Sequence, residues 1–104
     1  MEDIGVVIYS KGEEPGSLTA KWHHKQRGSG TGKATGGPPE GFPGTYKIVY
    51  FDQNGRQLSE WDLYIEQQGD YFDLAWLSNG VVKVRGIGMT ALGGLAAGWH
   101  SATE

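Results

Sequence analysis

The chain of 104 residues contains no cysteine. It therefore cannot build a disulfide framework, act through a thiolate or bind zinc through cysteine, and a cysteine-free chain favours the reducing cytoplasm as its compartment. Positive charge is also scarce, because 9 lysines and arginines face 12 aspartates and glutamates, for a net charge of −3. Such a chain has no global positive field to attract a nucleic-acid backbone or an anionic membrane. We expect neither partner.

Long hydrophobic runs are missing as well. The most apolar stretch, Gly86–Trp99, is 14 residues long and is interrupted by glycines. A transmembrane helix needs about 20 consecutive apolar residues. The first residues, Met1–Gly5, have neither the basic nor the apolar region of a signal peptide. These features predict a soluble protein.

Proline is rare, and three of the four prolines lie between positions 38 and 43. Glycines surround them, so segment 36–44 is the one obvious break in the chain. It is too short to be an interdomain linker with a domain before it, and it predicts a loop that joins two halves of one sheet. Residues 1–104 therefore form a single domain.

Apolar residues recur with a period of two almost everywhere, which is typical of strands. The predicted strands cover residues 5–9, 16–24, 30–35, 45–51, 57–67, 71–77, 81–89 and 95–99. The pairs Asn54-Gly55 and Asn79-Gly80 suit the positive φ angles of type I′ hairpin turns. No segment has a convincing helical pattern. Eight short strands with frequent turns predict an all-β sandwich or barrel.

An internal repeat favours the barrel. Residues 16–24 and 93–101 share five of nine positions, including the Trp-His pair near the end of each copy. A strand pattern from the start of the chain that recurs at its end favours a sheet in which the first and last strands pair. Such closure also removes the exposed edges of the sheet. The sequence therefore predicts an eight-stranded antiparallel up-and-down barrel.

The segments Gly44–Tyr46, Gly69–Trp76, Gly86–Gly88 and Leu95–Trp99 carry a recognisable pattern. It resembles the half-barrel repeat G-x-Y … G-D-x-Y-x-L-x-W … G-x-G … L-A-x-x-W of a group of small bacterial proteins of unknown function. Those proteins are similar in outline to avidin-like and lipocalin-like (calycin) barrels. The resemblance covers residues 44–99 well and residues 5–37 loosely. It implies a fold without an activity, and biotin binding is not carried over because avidin's polar ligand-binding residues find no match.

The barrel topology predicts where the aromatic residues gather. Trp22, Trp76 and Trp99 end the second, sixth and eighth strands, Trp61 lies near the start of the fifth, and Tyr50 lies late in the fourth. In an up-and-down barrel these positions meet at one mouth, and the period of two points their side chains inward. We predict a non-catalytic protein that binds a small apolar or aromatic ligand at this Trp-rich mouth.

Other interpretations of the rings stay open. They could fill the top of a narrow core, form a platform for a sugar, or make a dimer contact. Small residues at inward positions 20, 86, 88 and 97 favour a pocket, because they leave space beside the rings. Alternative functions are a structural or interaction module that forms homo-oligomers through the outer sheet, and a small barrel isomerase or cyclase assisted by a tyrosine.

Catalytic, metal and cofactor motifs are not evident. His23 and His24 would point to opposite faces of one strand, which makes a poor metal pair. The segment Gly28–Ala34 lacks the glycine and the final Ser or Thr of a phosphate-binding loop. The alternation places the following charged residues on outward faces: Glu60, Asp62, Glu66, Asp73, Lys83 and Arg85. We therefore predict no catalytic residue, no metal ligand and no cofactor.

Overall fold

The computed structural model describes residues 3–102, which form a closed antiparallel barrel of eight strands in up-and-down order. The strands are β1 (Ile4–Lys11), β2 (Leu18–His24), β3 (Gly28–Thr35), β4 (Gly44–Asp52), β5 (Gln57–Gln68), β6 (Tyr71–Ser78), β7 (Val81–Ala91) and β8 (Gly94–Ser101). Pairing of β1 with β8, from Ile4 opposite His100 to Tyr9 opposite Leu95, closes the sheet. The predicted fold class is confirmed.

Each predicted strand is present, with small shifts at the ends. The second strand begins at Leu18, two residues later than predicted, because Gly16 has a positive φ of 82° and belongs to the preceding turn. There the carbonyl of Gly16 accepts a hydrogen bond from the backbone N–H of Gly37, at 3.0 Å. The glycine therefore ties two loops at one end of the barrel instead of starting a strand.

That end of the barrel is closed. The longest connection, residues 36–43 between β3 and β4, places Phe42 in the core, and the Tyr46 hydroxyl donates to the Phe42 carbonyl at 2.8 Å. Lys11 donates to the carbonyl of Gly41 and lies 5.6 Å from the centre of the Phe42 ring. The proline-rich segment thus joins the two halves of the sheet, as predicted, and also caps the core.

Inward side chains fill the barrel from this closed end towards its middle. Eight of them are almost completely buried: Val7, Tyr9, Leu18, Tyr46, Ile48, Leu63, Leu74 and Leu95. An eight-stranded barrel is narrow enough for side chains to fill its interior. The filled part is the hydrophobic core, and the opposite end holds the aromatic residues.

The two Asn-Gly pairs form different turns. Asn79 and Gly80 have φ angles of 53° and 78°, which is the type I′ pattern predicted. The type I′ prediction is wrong at Asn54-Gly55, where only Gly55 has a positive φ. The carboxylate of Asp52 accepts the backbone N–H groups of Asn54 and Arg56 there, at 2.8 and 2.9 Å, and stabilises a longer loop.

Candidate functional site

The open end of the barrel contains a cavity of about 780 Å³. All five aromatic residues predicted for the mouth line it, namely Trp22, Tyr50, Trp61, Trp76 and Trp99. They meet because even strands end, and odd strands begin, at this end of an up-and-down barrel. The structure thus brings the five side chains together around one cavity.

Glycines on neighbouring strands explain why two of the tryptophans do not block the cavity. Gly30 lies opposite Trp22, and a Cβ atom built on Gly30 would stand 2.5 Å from Cζ2 of that ring. Gly5 lies opposite Trp99 in the same way, at 2.4 Å from its Cζ2. Each indole therefore occupies the space that a side chain on the adjacent strand would need, and lies against the barrel wall.

The rings of Tyr50 and Trp76 also lie over glycines of the barrel wall. A Cβ atom on Gly32 would stand 2.9 Å from Cδ1 of Tyr50, and one on Gly86 would stand 3.2 Å from Cζ3 of Trp76. Aromatic side chains commonly cover glycines on neighbouring strands in this way. With four of the five rings packed on wall glycines, the centre of the mouth stays open, and the rings line the cavity without filling it.

Hydrogen bonds to the protein also fix the orientation of two of the indole rings. Trp22 Nε1 donates to the Thr31 carbonyl, and Trp61 Nε1 donates to Ser59 Oγ, both at 2.9 Å. Trp99 Nε1 donates to no residue within the described part of the chain. The first two indoles therefore have their polar groups satisfied by the protein, which leaves their apolar surfaces for the cavity.

A cluster of three polar groups lies at the base of the cavity. The hydroxyl oxygens of Tyr9 and Tyr50 are 2.6 Å apart, and Trp76 Nε1 donates to the Tyr50 oxygen at 2.7 Å. Burial raises the pKa of Tyr50 to about 12 and the pKa of Tyr9 well above its usual value. Both phenols are therefore protonated at physiological pH, and they act as hydrogen-bonding groups rather than bases. Sequence reasoning missed Tyr9, whose only signal was its inward phase two residues after Val7.

The His24 side chain makes three hydrogen bonds at the rim of the cavity. Its Nδ1 accepts the backbone N–H groups of Gln26 and Arg27 at 3.0 and 3.2 Å, so the proton lies on Nε2, which is 3.2 Å from Asp3 Oδ1. The ring centre is 5.5 Å from that of Trp99. This buried histidine therefore stabilises the β2–β3 turn beside the cavity, a role the sequence did not indicate.

Charges of both signs surround the opening. Asp52 and Asp3 lie on the rim together with Arg27 and Lys83. The hydrogen bond from the backbone N–H of Arg56 is the main cause that lowers the pKa of Asp52, so this carboxylate stays ionised. With positive and negative groups interleaved, the rim does not select a ligand by one sign of charge.

The outer surface carries a second feature, an apolar patch on β1, β7 and β8. Four of its side chains are more than half exposed: Val6, Ile8, Ile87 and Met89. Between them β8 presents only Ala96 and Gly98, which pair with residues of both neighbouring strands and leave a shallow groove. We call these six residues the outer patch.

Other polar residues lie away from the cavity. His23 and His100 are exposed on the outside of the barrel, and Lys47 forms an ion pair with Asp62 on the outer face of β4 and β5. Within residues 3–102 no three histidine, aspartate or glutamate side chains group as metal ligands would. The same residues include no helix of the length and apolarity that crossing a membrane requires.

Comparison of the chain with protein-family models, with curated protein sequences and with solved structures finds no match.

Proposed function

We propose that this protein is a non-catalytic binding protein for a small apolar or aromatic ligand, which it holds in the Trp-rich mouth. The observation that carries the proposal is the packing of the rings on wall glycines, which keeps a cavity of about 780 Å³ open at one end of a filled barrel. Small-molecule sites commonly have volumes of roughly 300–1,000 Å³ and are lined by apolar and aromatic side chains.

The chemistry of the walls supports this ligand class. Aromatic pairs stabilise a complex by about 0.5–1.5 kcal/mol beyond the burial of their area. Trp22 and Trp61 have protein partners for their N–H groups, so stacking against them leaves no polar group unpaired. Among residues 3–102 no carboxylate side chain is buried in the core. A flat ligand with a large apolar face fits these walls better than an ionic one.

The proposal is tested by titrating the purified protein with apolar, aromatic and sugar ligands, with tryptophan fluorescence and thermal stability as readouts. We expect a saturable spectral change and a higher Tm with an aromatic member of the panel, because a ligand that binds only the folded state stabilises it. Trp22→Ala should raise the Kd of that ligand about two- to tenfold, which corresponds to the loss of one stacking contact. Tyr64→Ala, an aromatic truncation on the outer face, is the matched control and should leave Kd unchanged. No response to any member of the panel would refute the proposal.

The outer patch favours a second candidate, a structural module that acts through homo-oligomerisation. Exposed apolar patches mark interaction surfaces, and a two-fold dimer would place one patch on its copy. Sedimentation velocity over a hundredfold range of concentration tests this candidate. Self-association that Ile87→Lys abolishes and Tyr64→Lys preserves would support it, whereas a monomer at every concentration would exclude it.

A further inference from the structure

The hydrogen bond between Tyr9 and Tyr50 has a defined direction. Tyr9 is fully buried, and among residues 3–102 the Tyr50 oxygen is the only side-chain acceptor that its hydroxyl meets, because the neighbouring Trp76 N–H can only donate. If Tyr50 donated to Tyr9, the Tyr9 proton would be left without an acceptor inside the core, which is costly and rare. Tyr9 is therefore the donor, and the Tyr50 oxygen is the acceptor.

Trp76 donates to the same oxygen, at 2.7 Å. Tyr50 thus accepts two hydrogen bonds, from Tyr9 and from Trp76, and these occupy the acceptor capacity of a phenol oxygen. Its own proton has no acceptor among the described residues. Tyr50 is only partly buried, and it lines the cavity. The remaining direction for this O–H group is into the mouth of the barrel.

We propose that the Tyr50 hydroxyl is the polar anchor of the mouth, so that the ligand is a flat molecule with a neutral hydrogen-bond acceptor, such as a ketone oxygen, on one edge. This inference rests on the proposed function and adds to it the polar group that the ligand must carry. The wall glycines position the anchor, because Gly32 allows the Tyr50 ring to lie against β3 while its hydroxyl meets Tyr9 and Trp76.

The two incoming hydrogen bonds make Tyr50 a better donor. Donation to a hydroxyl oxygen polarises its O–H bond, and such chains of hydrogen bonds strengthen one another. A ligand without an acceptor displaces solvent from this O–H group and leaves it unpaired in the complex, which weakens binding. The site should therefore prefer a ligand with an acceptor over a hydrocarbon of the same shape.

A pair of isosteric probes tests the anchor. 2-Acetylnaphthalene carries a ketone oxygen, and 2-isopropenylnaphthalene replaces that oxygen with a methylene group at nearly the same shape. We expect the wild-type protein to bind the ketone about fivefold more tightly than the alkene, the usual value of one net hydrogen bond. In Tyr50→Phe this preference should disappear, because the ketone loses its donor and the alkene no longer leaves a phenol O–H group unpaired.

Tyr9→Phe is the matched variant. It removes a hydroxyl from the same cluster and leaves the Tyr50 O–H group in place, so the ketone should still bind more tightly than the alkene. Thermal melts of both variants establish that the barrel is folded during the titrations. If Tyr50→Phe does not fold, Trp99→Phe removes the other N–H or O–H group of the mouth rings that donates to no described residue. Retention of the ketone preference in that variant supports Tyr50 as the donor, and its loss overturns the anchor.

The outcomes separate this inference from the proposed function. Equal affinity of the wild type for the two probes would overturn the anchor and leave an apolar binding site in place. A ketone preference that persists in Tyr50→Phe would assign the donor to another group and would also overturn it. If neither probe nor any member of the broader panel binds, both the anchor and the proposed function are refuted.

Discussion

Gly5 and Gly98 are neighbours on paired strands and have opposite roles. Gly5 faces inward beneath Trp99, where a Cβ atom would stand 2.4 Å from both the ring and the His23 carbonyl. Gly98 faces outward, and the atom nearest to a Cβ there is 4.0 Å away. Gly5 is needed because it makes room for the Trp99 ring, whereas the position of Gly98 has space for a larger side chain.

Alanine substitutions should separate the two glycines. We expect Gly5→Ala to lower the free energy of unfolding by about 1–3 kcal/mol, the usual cost of overpacking. Gly98→Ala should raise it by about 0.5–1 kcal/mol, because glycine weakens a strand interior. Urea denaturation measures both changes, and equal losses in the two variants would contradict the assigned role of Gly5.

The raised pKa values of Tyr9 and Tyr50 predict loss of stability at alkaline pH. The unfolded chain releases these protons near pH 10, while folded Tyr50 keeps its proton to about pH 12. Above pH 10 the unfolded state binds fewer protons, so the free energy of unfolding falls by about 1.4 kcal/mol per pH unit for each phenol. Below pH 10 the contribution is fully present.

The measurement is urea denaturation at pH 8, 10 and 11 for the wild type and Tyr50→Phe. Tyr46, whose pKa burial also raises, remains in both proteins as a common background. The variant should lose less stability than the wild type between pH 10 and 11. The same loss in both proteins would mean that Tyr50 does not keep its proton when folded.

Among the hairpins, the β7–β8 turn contains the least favourable residue. Leu92 and Gly93 have φ angles of 54° and 82°, and the Leu92 side chain is fully exposed. A residue other than glycine or asparagine in this left-handed region costs roughly 1–2 kcal/mol, and packing offers no compensation here. Leu92→Asn should raise the free energy of unfolding by about 0.5–1 kcal/mol.

Leu92→Ala is the control for this turn. Alanine removes the exposed leucine side chain and keeps the Cβ atom that is strained at positive φ, so thermal unfolding should show no comparable gain. A gain in Leu92→Ala as large as in Leu92→Asn would mean that the exposed side chain, rather than backbone strain, destabilises the hairpin.

The strands were predictable because the pleat alternates side chains, and the sequence alternates with it. Asn79-Gly80 was predictable as a turn for a similar local reason. Asp52 shows the limit, since its carboxylate selects a different loop for an Asn-Gly pair of the same kind. Gly93 and Gly94 predicted the last turn, but the positive φ of Leu92 was not predictable, because it follows from the pairing of Ala91 with Gly94, which leaves a loop of two residues.

The position of the aromatic cavity was also predictable, because the direction of the strands in an up-and-down barrel brings the five aromatic residues to one end. The direction in which each ring points was not predictable from the sequence. It depends on which glycine lies opposite which aromatic, as with Gly30 and Trp22, and this register comes from the pairing of strands. The bond between Tyr9 and Tyr50 joins positions 41 residues apart on non-adjacent strands. Local periodicity carries no information about such a contact.

At the scale of the whole molecule, the loop around Phe42 caps one end of the barrel, and the other end is open and contains the cavity. Phe42→Ala should lower the free energy of unfolding by about 3 kcal/mol, because it removes a buried ring. The affinity of the mouth for the ligand class proposed above should not change, because the cap is at the opposite end. Denaturation and ligand titration of the same preparation check both expectations, and weaker ligand binding would show that the two ends are coupled.

The pairing of Ile4 with His100 places the start of β1 and the end of β8 side by side at the mouth. A fluorescent reporter or a surface tether joined to either strand end would emerge beside the opening and obstruct it. The Leu92-Gly93 turn lies at the other end, so an attachment there would leave the opening free. For the binding function proposed above, the barrel is therefore best immobilised through that turn, with its open end facing the solution.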